Sequence, residues 1–152
     1  MKGENHASYK LLTIMVVLHF FAMYFLMYAM VDNFSNIFLN FNQFYMAGLM
    51  TAPMIIIELL LMNSMYHKKK LNIFLIVISV SILVILFLFI RYQTGISDEQ
   101  FLKSMIPHHA AAVLMCEKTQ ITDAEIQELC NKIISNQQSE IEQMKSKLNE
   151  FS

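Results

Sequence analysis

The sequence is poor in several residue types on which soluble domains depend. Tryptophan is absent, cysteine occurs twice, and charged residues make up only 15% of the 152 residues, whereas 56% are hydrophobic. Two cysteines are too few to hold a small fold together by disulfides. The 11 basic and 12 acidic residues leave a formal net charge of -1, so the basic excess that nucleic-acid binding requires is missing. Methionine, with 13 residues, is unusually abundant.

Three long apolar runs in the N-terminal part of the chain predict three transmembrane helices. They extend over residues 11–31, 44–65 and 71–90, and each is close to the ~20 residues that cross a bilayer core as a helix. The first run is too long for a signal peptide, and no small-residue cleavage site follows it, so we expect a retained anchor. The sequence thus predicts a membrane domain over residues 1–92.

The placement of lysine predicts the orientation of these helices. Lys2 and Lys10 precede the first run, residues 32–43 contain no Lys or Arg, and Lys68–Lys70 lie between the second and third runs. Because basic residues favour the cytoplasmic side, we expect a cytoplasmic N-terminus and a periplasmic or extracellular tail in a bacterial inner membrane. Arg91 after the third run disagrees with this orientation. The aromatic stretch DNFSNIFLNFNQFY is expected to lie at the outer headgroup level.

The tail, residues 97–152, carries the signals of a two-helix hairpin, so the whole chain is predicted to be all-α. Ser97 with Gln100 and Thr122 with Glu125 resemble capping boxes, which begin helices of about 98–118 and 123–148. The apolar residues of the second helix recur at three- and four-residue steps and form one stripe: Ile126, Leu129, Ile133, Ile134, Ile141, Met144 and Leu148.

A hairpin of this size buries too little surface to be stable alone. We therefore expect a homodimer that completes a four-helix bundle, with docking on the membrane helices as the alternative. Pro107 is expected to kink the first hairpin helix or to leave a carbonyl free beside the histidines, and Pro53 is expected to kink the second span. Cys116 and Cys130 lie unequally far from the predicted turn, by about 5 Å along the axis at 1.5 Å per residue. We expect no disulfide within one hairpin, and a bond across a dimer stays open.

Soft metal-binding side chains are concentrated in the stretch MIPHHAAAVLMC, residues 105–116. Imidazole and thioether donors together suit copper, and Cu(I) above all. Methionine also fills ordinary cores, and adjacent histidines point about 100° apart on a helix, so spacing alone leaves both interpretations open. The expected primary ligands are Met105, His108, His109 and Met144, and the weaker candidates are Met115, Cys116 and Glu140.

The segments FLKSMIPHHAAAVLMC and IISNQQSEIEQM resemble the domain-of-unknown-function 305 family. The resemblance covers about residues 97–150 and implies half of a ferritin-like four-helix bundle associated with copper and silver handling. Three preceding spans resemble a membrane-anchored branch found near heavy-metal resistance functions. Many members of the family have two hairpins where this chain has one. Cys116 stands where a small residue is usual, and is either a thiolate ligand or a small buried hydrophobe.

Two ladders of soft residues follow the first two spans at four-residue steps. One consists of Met15, His19, Met23 and Met27, and the other of Met46, Met50, Met54, Glu58 and Met62. His19 and Glu58 are expected to pair, because ionisable residues within a membrane face a partner or a cavity. One interpretation is a copper site at His19, Met23, Met54 and Glu58, and the other is packing with a structural His19–Glu58 lock.

Catalysis is not expected, because a di-iron oxidase needs several glutamates and Glu-x-x-His steps, and the tail has only Glu140 near its histidines. The first functional hypothesis is a membrane-anchored protein that sequesters or hands over Cu(I) or Ag(I), in contact with membrane lipid and with a metal efflux system as a partner. The second is a structural module whose hairpin dimerises and whose spans scaffold a membrane partner.

Overall fold

The computed structural model describes the backbone from Lys2 to Phe151 and the side chains from Ala7 to Phe151. Over these residues the chain is all-α, as predicted, with five α-helices, two short 3-10 turns and no strand. The helices are α1 (Lys2–Leu26), α2 (Phe41–Leu61), α3 (Lys69–Tyr92), α4 (Asp98–Lys118) and α5 (Ala124–Asn149), and the 3-10 turns are Met27–Met30 and Phe34–Asn36.

Three helical segments are long and apolar enough to cross a membrane, which confirms the predicted number of spans. They are Ala7–Met30, Phe41–Leu61 and Lys69–Tyr92. The second helix ends at Leu61, earlier than the apolar run predicts, because residues 62–65 form a turn in which the Met65 N–H donates to the Met62 carbonyl. Both prolines are accommodated within continuous helices, Pro53 in α2 and Pro107 in α4.

The described chain divides into two compact units. The span unit consists of Met1–Leu26 and Asn42–Gly95, and the hairpin unit of Met27–Phe41 and Ile96–Ser152. The predicted division near residue 92 is therefore incomplete, because the segment between the first two spans belongs with the hairpin.

Close packing in the span unit depends on small side chains along α2. Ala47, Thr51 and Ala52 are buried. At Gly48 an added Cβ would lie 2.5 Å from Leu86 Cδ1 of α3, so any larger residue here would require the Leu86 side chain to move. Small residues at such contacts are typical of helix pairs in membranes.

A polar network joins α1, α3 and the connection between α2 and α3. The Tyr9 hydroxyl donates to Asn72 Oδ1 at 2.6 Å, and Asn72 Nδ2 donates to the Tyr66 carbonyl at 2.7 Å. The backbone N–H of Lys68 donates to the Tyr9 hydroxyl at 3.2 Å. Asn72 is 7% exposed, and its amide is satisfied on both sides, as a buried polar group requires.

The helix ends of the hairpin agree with the predicted bounds to within a residue, but the caps differ. Ser97 Oγ accepts from the Gln100 N–H, whereas the Gln100 side chain accepts from the Phe41 N–H at 2.9 Å instead of turning back. The second cap is Asp123, which accepts from the backbone N–H groups of the second and third residues of α5. The predicted cap at Thr122 is thus wrong by one position, because the carboxylate one residue later fills that role.

The segment from residue 27 to 41 covers part of the hairpin. The Tyr28 hydroxyl donates to the Phe38 carbonyl at 2.8 Å, and Asn40 Nδ2 donates to the Lys103 carbonyl at 3.3 Å. Val31 and Phe38 pack against the hairpin core. In contrast to Tyr28 and Phe38, the Phe34 side chain is 89% exposed. The buried core consists of Ile106, Ala110, Val113, Ile141 and Leu148.

The predicted apolar stripe of α5 is buried only in its C-terminal part. Ile126 and Leu129 are 49% and 55% exposed, which contradicts their place in a buried stripe. The cause lies in the connection between the helices, where Thr119 and Asp123 are extended. Extended residues rise ~3.3 Å each, so the chain passes the end of α4 before α5 begins, and the first turns of α5 have no facing helix.

Candidate functional site

The facing sides of α4 and α5 bring His109 and Glu140 together. His109 Nδ1 lies 3.0 Å from Glu140 Oε2, and the two side chains are 14% and 51% exposed. Nδ1 is shielded from solvent and makes no hydrogen bond, although the Glu140 carboxylate lies within ion-pair distance of it. A buried polar nitrogen without a partner is unusual in a folded protein, and a proton or a bound cation between the two groups would satisfy it.

His108 lies on a different side of the same helix. Its side chain is exposed, and its ring centroid is 6.0 Å from that of His109, with the ring planes tilted by 59°. Successive residues of a helix diverge by about 100°, so the two imidazoles do not face the α4–α5 seam together.

Two methionines flank the His109–Glu140 pair along the helices. Met105 is one turn before His109 on α4, and Met144 is one turn after Glu140 on α5; both are half-buried. Met144 also packs against the hairpin core. Because the helices are antiparallel, both methionines lie toward the same end of the seam, within a turn of the pair.

The expectation for the cysteines is wrong. Cys116 and Cys130 form a disulfide within the hairpin, with their Cα atoms 5.3 Å apart. The asymmetric connection explains the error, since it shifts α5 so that Cys130 comes level with Cys116 despite its greater distance from the turn. In the disulfide Cys116 offers no thiolate to a metal. Met115, beside it, is 50% exposed and is separated from His109 by more than a turn.

In the span unit, His19 and Glu58 line one cavity but are not an ion pair among the described side chains. Glu58 Oε1 instead accepts a hydrogen bond from the Tyr66 hydroxyl at 3.1 Å, so the predicted direct lock is replaced by a tyrosine. The cavity is also lined by Met15 and Met65. Met23 and Met54, the other expected members of an intramembrane site, are not among the residues that line it.

The Tyr66 hydroxyl is strongly held in its neutral form. Burial, the hydrogen bond to Glu58, the negative charge of Glu58 and the nearby Tyr9 together raise the pKa of Tyr66 to about 12. The Tyr66 and Tyr9 rings lie 5.3 Å apart. Sequence reasoning missed this network, although Asn72, a polar residue inside the third apolar run, was a signal for it.

Among side chains from Ala7 to Phe151, no three His, Cys, Asp or Glu residues converge. A site in either unit would therefore have to include thioether donors. The protein defined by these features has three helices long and apolar enough to span a membrane and a compact helical hairpin with a His–Glu seam.

Residues 91–148 match the family described as "Domain of unknown function (DUF305)". The chain is also 36% identical over 121 residues to the uncharacterized protein L153 of Acanthamoeba polyphaga mimivirus, and the match covers 78% of each chain. The chain belongs to the DUF305 family. Since 121 residues exceed the family match of residues 91–148, the similarity to the viral protein extends into the spans. No solved structure matches the chain.

Proposed function

We propose that this protein is a membrane-anchored metal-binding protein that holds Cu(I) or Ag(I) at the hairpin seam and sequesters it or hands it over to another protein. The observation that carries the proposal is the buried Nδ1 of His109, which lies 3.0 Å from Glu140 and lacks a hydrogen bond. The ferritin-like and copper-associated character rests on the family resemblance of the two hairpin segments.

The donor set of the seam fits a soft ion. His109 would supply an imidazole nitrogen, Met105 and Met144 would supply thioether sulfurs, and Glu140 would neutralise the charge. Thioether and imidazole ligands favour Cu(I) over harder divalent ions. His108 and Met115 are exposed, so their role in this proposal is to capture the ion from outside the seam.

Competition titration of the full chain in detergent tests this proposal. Ag(I) or Cu(I) is delivered from a chelator of known affinity to wild type, His109→Ala, Glu140→Gln and the control His67→Ala, which removes an exposed histidine in the connection between α2 and α3. We expect His109→Ala to abolish binding at the seam. Glu140→Gln should weaken it by about 10–100-fold, the usual effect of removing a group that supports a metal ligand.

The control defines what would contradict the proposal. His67→Ala should bind as wild type does, since this residue is far along the chain from the seam. Equal affinity of wild type and His109→Ala for both ions would show that the seam is not the site.

The proposal also includes an orientation. We propose that the basic connection at residues 67–70 faces the cytoplasm and the hairpin unit faces the other side, as in a bacterial inner membrane. Lys68–Lys70 support this orientation, and so does the disulfide, because disulfides persist in oxidising compartments and are rare in the cytosol.

The exposed apolar end of the hairpin favours a second candidate function, that of a dimerising module which scaffolds a membrane partner such as an efflux system. The side chains of three apolar residues at this end are each about half exposed, although they lie outside the three apolar spans: Ile126, Leu129 and Met115. Cross-linking between two copies at this end, with no metal bound by wild type, would favour this function.

A further inference from the structure

The span unit contains a cavity of about 580 Å³ that is largely open to its surroundings and is lined by both apolar side chains and possible metal donors. Most of its wall is apolar and is contributed by α1. Besides Ser8 and Tyr66, four side chains that can act toward a soft cation also line it: Met15, His19, Glu58 and Met65. They come from three segments of the chain, α1, α2 and the connection that follows α2.

The chemistry of these four side chains is that of a soft-cation site. Met15 and His19 are one turn apart on α1, so they lie next to each other on one helix face. With Met65 they offer one imidazole and two thioethers, which suit a soft ion. Glu58 supplies the negative charge and accepts a hydrogen bond from the Tyr66 hydroxyl.

The position of Glu58 makes a bound cation physically reasonable. It lies within the second span, between Phe41 and Leu61, where an ionisable side chain is costly unless a partner or cavity accommodates it. The apolar wall disfavours a strongly hydrated divalent ion, whereas Cu(I) and Ag(I) exchange water readily for sulfur ligands.

We propose that this cavity is a second soft-metal site, which takes Cu(I) or Ag(I) with Met15, His19 and Met65 as donors and Glu58 as the compensating charge. The identity of the ion rests on the proposed function of the hairpin. The site differs from the ladder expected from sequence, because Met65 takes part and Met23 and Met54 do not.

Methionine footprinting on the wild-type chain tests the site without any substitution. The full chain in chloride-free detergent solution is treated with hydrogen peroxide, with and without saturating Ag(I), and oxidation of each methionine is measured by mass spectrometry. Peroxide oxidises a thioether to its sulfoxide, and a sulfur bound to Ag(I) is blocked. We expect Ag(I) to abolish oxidation of Met15 and Met65 and to leave Met50 unchanged. Met50 is a matched control because it is 45% exposed and Met65 is 40% exposed.

The same experiment separates this inference from the proposed function. Protection of Met15 and Met65 without Met105 and Met144 supports the cavity and contradicts the hairpin site. Protection of the hairpin methionines alone overturns the cavity and leaves the hairpin site standing. The Met15→Leu/His19→Ala variant should lose protection of Met65 and keep that of Met144. Persistent protection of Met65 in this variant would overturn the assignment of its ligands.

Discussion

His108 and His109 show how much the environment of a residue depends on a single step along a helix. One ring is exposed and the other faces a carboxylate of the opposite helix. His109 and Glu140 could be assigned to one seam from sequence, whereas the exact register could not, because the extended connection shifts α5 and brings Cys130 level with Cys116. The lack of a hydrogen bond at His109 Nδ1 could not be predicted, since it depends on side-chain orientation.

The pairing of Glu58 with Tyr66 was also beyond sequence reasoning. The sequence predicts that Glu58 pairs with His19, because the two residues lie at similar distances from the ends of their helices. The turn at residues 62–65 allows the chain to fold back, and this places the Tyr66 hydroxyl on Glu58 Oε1. A turn of this kind has no strong motif in the sequence.

The raised pKa of Tyr66 leads to a prediction about alkaline stability. The pKa is about 12 in the folded chain, against an ordinary value of ~10 for an unfolded one. The folded state therefore keeps its proton longer, and the contribution to stability is fully present below about pH 10 and is lost as the pH rises toward 12. We expect chemical unfolding to require less denaturant as the pH increases through this window.

The Tyr66→Phe variant identifies the group responsible. It should lose less stability between pH 10 and 12 than wild type, and its absorbance titration should lack the tyrosinate transition with the highest midpoint. A Tyr92→Phe variant, at an exposed tyrosine, serves as the control and should behave as wild type. Identical alkaline curves for Tyr66→Phe and wild type would contradict this assignment.

At the scale of the elements, α4 and α5 were predictable almost to the residue, whereas the segment between α1 and α2 was not. Helix caps and apolar periodicity are local signals, which is why Ser97 and the region of Asp123 mark the helix starts in the sequence. The packing of residues 27–41 on the hairpin is a contact between distant parts of the chain. One contact that holds this segment on the hairpin is made by the buried Asn40, whose side-chain amide donates a hydrogen bond to the Lys103 carbonyl.

This packing changes the argument for a dimer. Because a hairpin alone buries too little apolar surface, the sequence predicts a homodimer. Val31 and Phe38 pack against the core from within the same chain, and the 3-10 turns of this segment contact α4, so part of the core is covered without dimerisation. Ile126 and Leu129, at the opposite end of the hairpin, stay about half exposed.

The disulfide stabilises that weakly packed end, which leads to a prediction about reduction. Cys116 and Cys130 are 14 residues apart, and closing a loop of this size contributes about 3 kcal/mol by the chain-entropy account. We expect Cys116→Ser/Cys130→Ser to lower the free energy of unfolding of the hairpin by about this amount, measured by hydrogen exchange of α5.

Reducing agent should produce the same loss in wild type and none in the double variant, which is its control. Maleimide should label neither cysteine of wild type purified without reductant. Complete labelling of both cysteines in the unreduced protein would contradict the pairing.

At the scale of the whole molecule, the three spans place the two ends of the chain on opposite sides of a membrane in the proposed orientation. The number of spans could be predicted because apolar length is a direct physical requirement of the bilayer. The division into units could not, since it depends on where the segment 27–41 packs.

A topology experiment tests the orientation. A reporter that is active only outside the cytoplasm, fused after Ser152, should be active, and the same reporter inserted in the connection between α2 and α3 should be silent. Substituting Lys68–Lys70 by glutamine should weaken this asymmetry, because positive charge anchors that connection to the cytoplasmic side. Activity of the inserted reporter together with silence of the C-terminal fusion would overturn the orientation.

X-ray absorption of the Cu(I)-loaded full chain tests the central claim most directly. The Met15→Leu/His19→Ala background restricts the signal to the hairpin, and His109→Ala in that background is the comparison. We predict scattering from both an imidazole nitrogen and thioether sulfur in the parent chain, and loss of the bound copper itself in the His109→Ala chain. A spectrum without imidazole scattering, or one that His109→Ala leaves unchanged, would contradict the proposal that the His109 seam binds the metal.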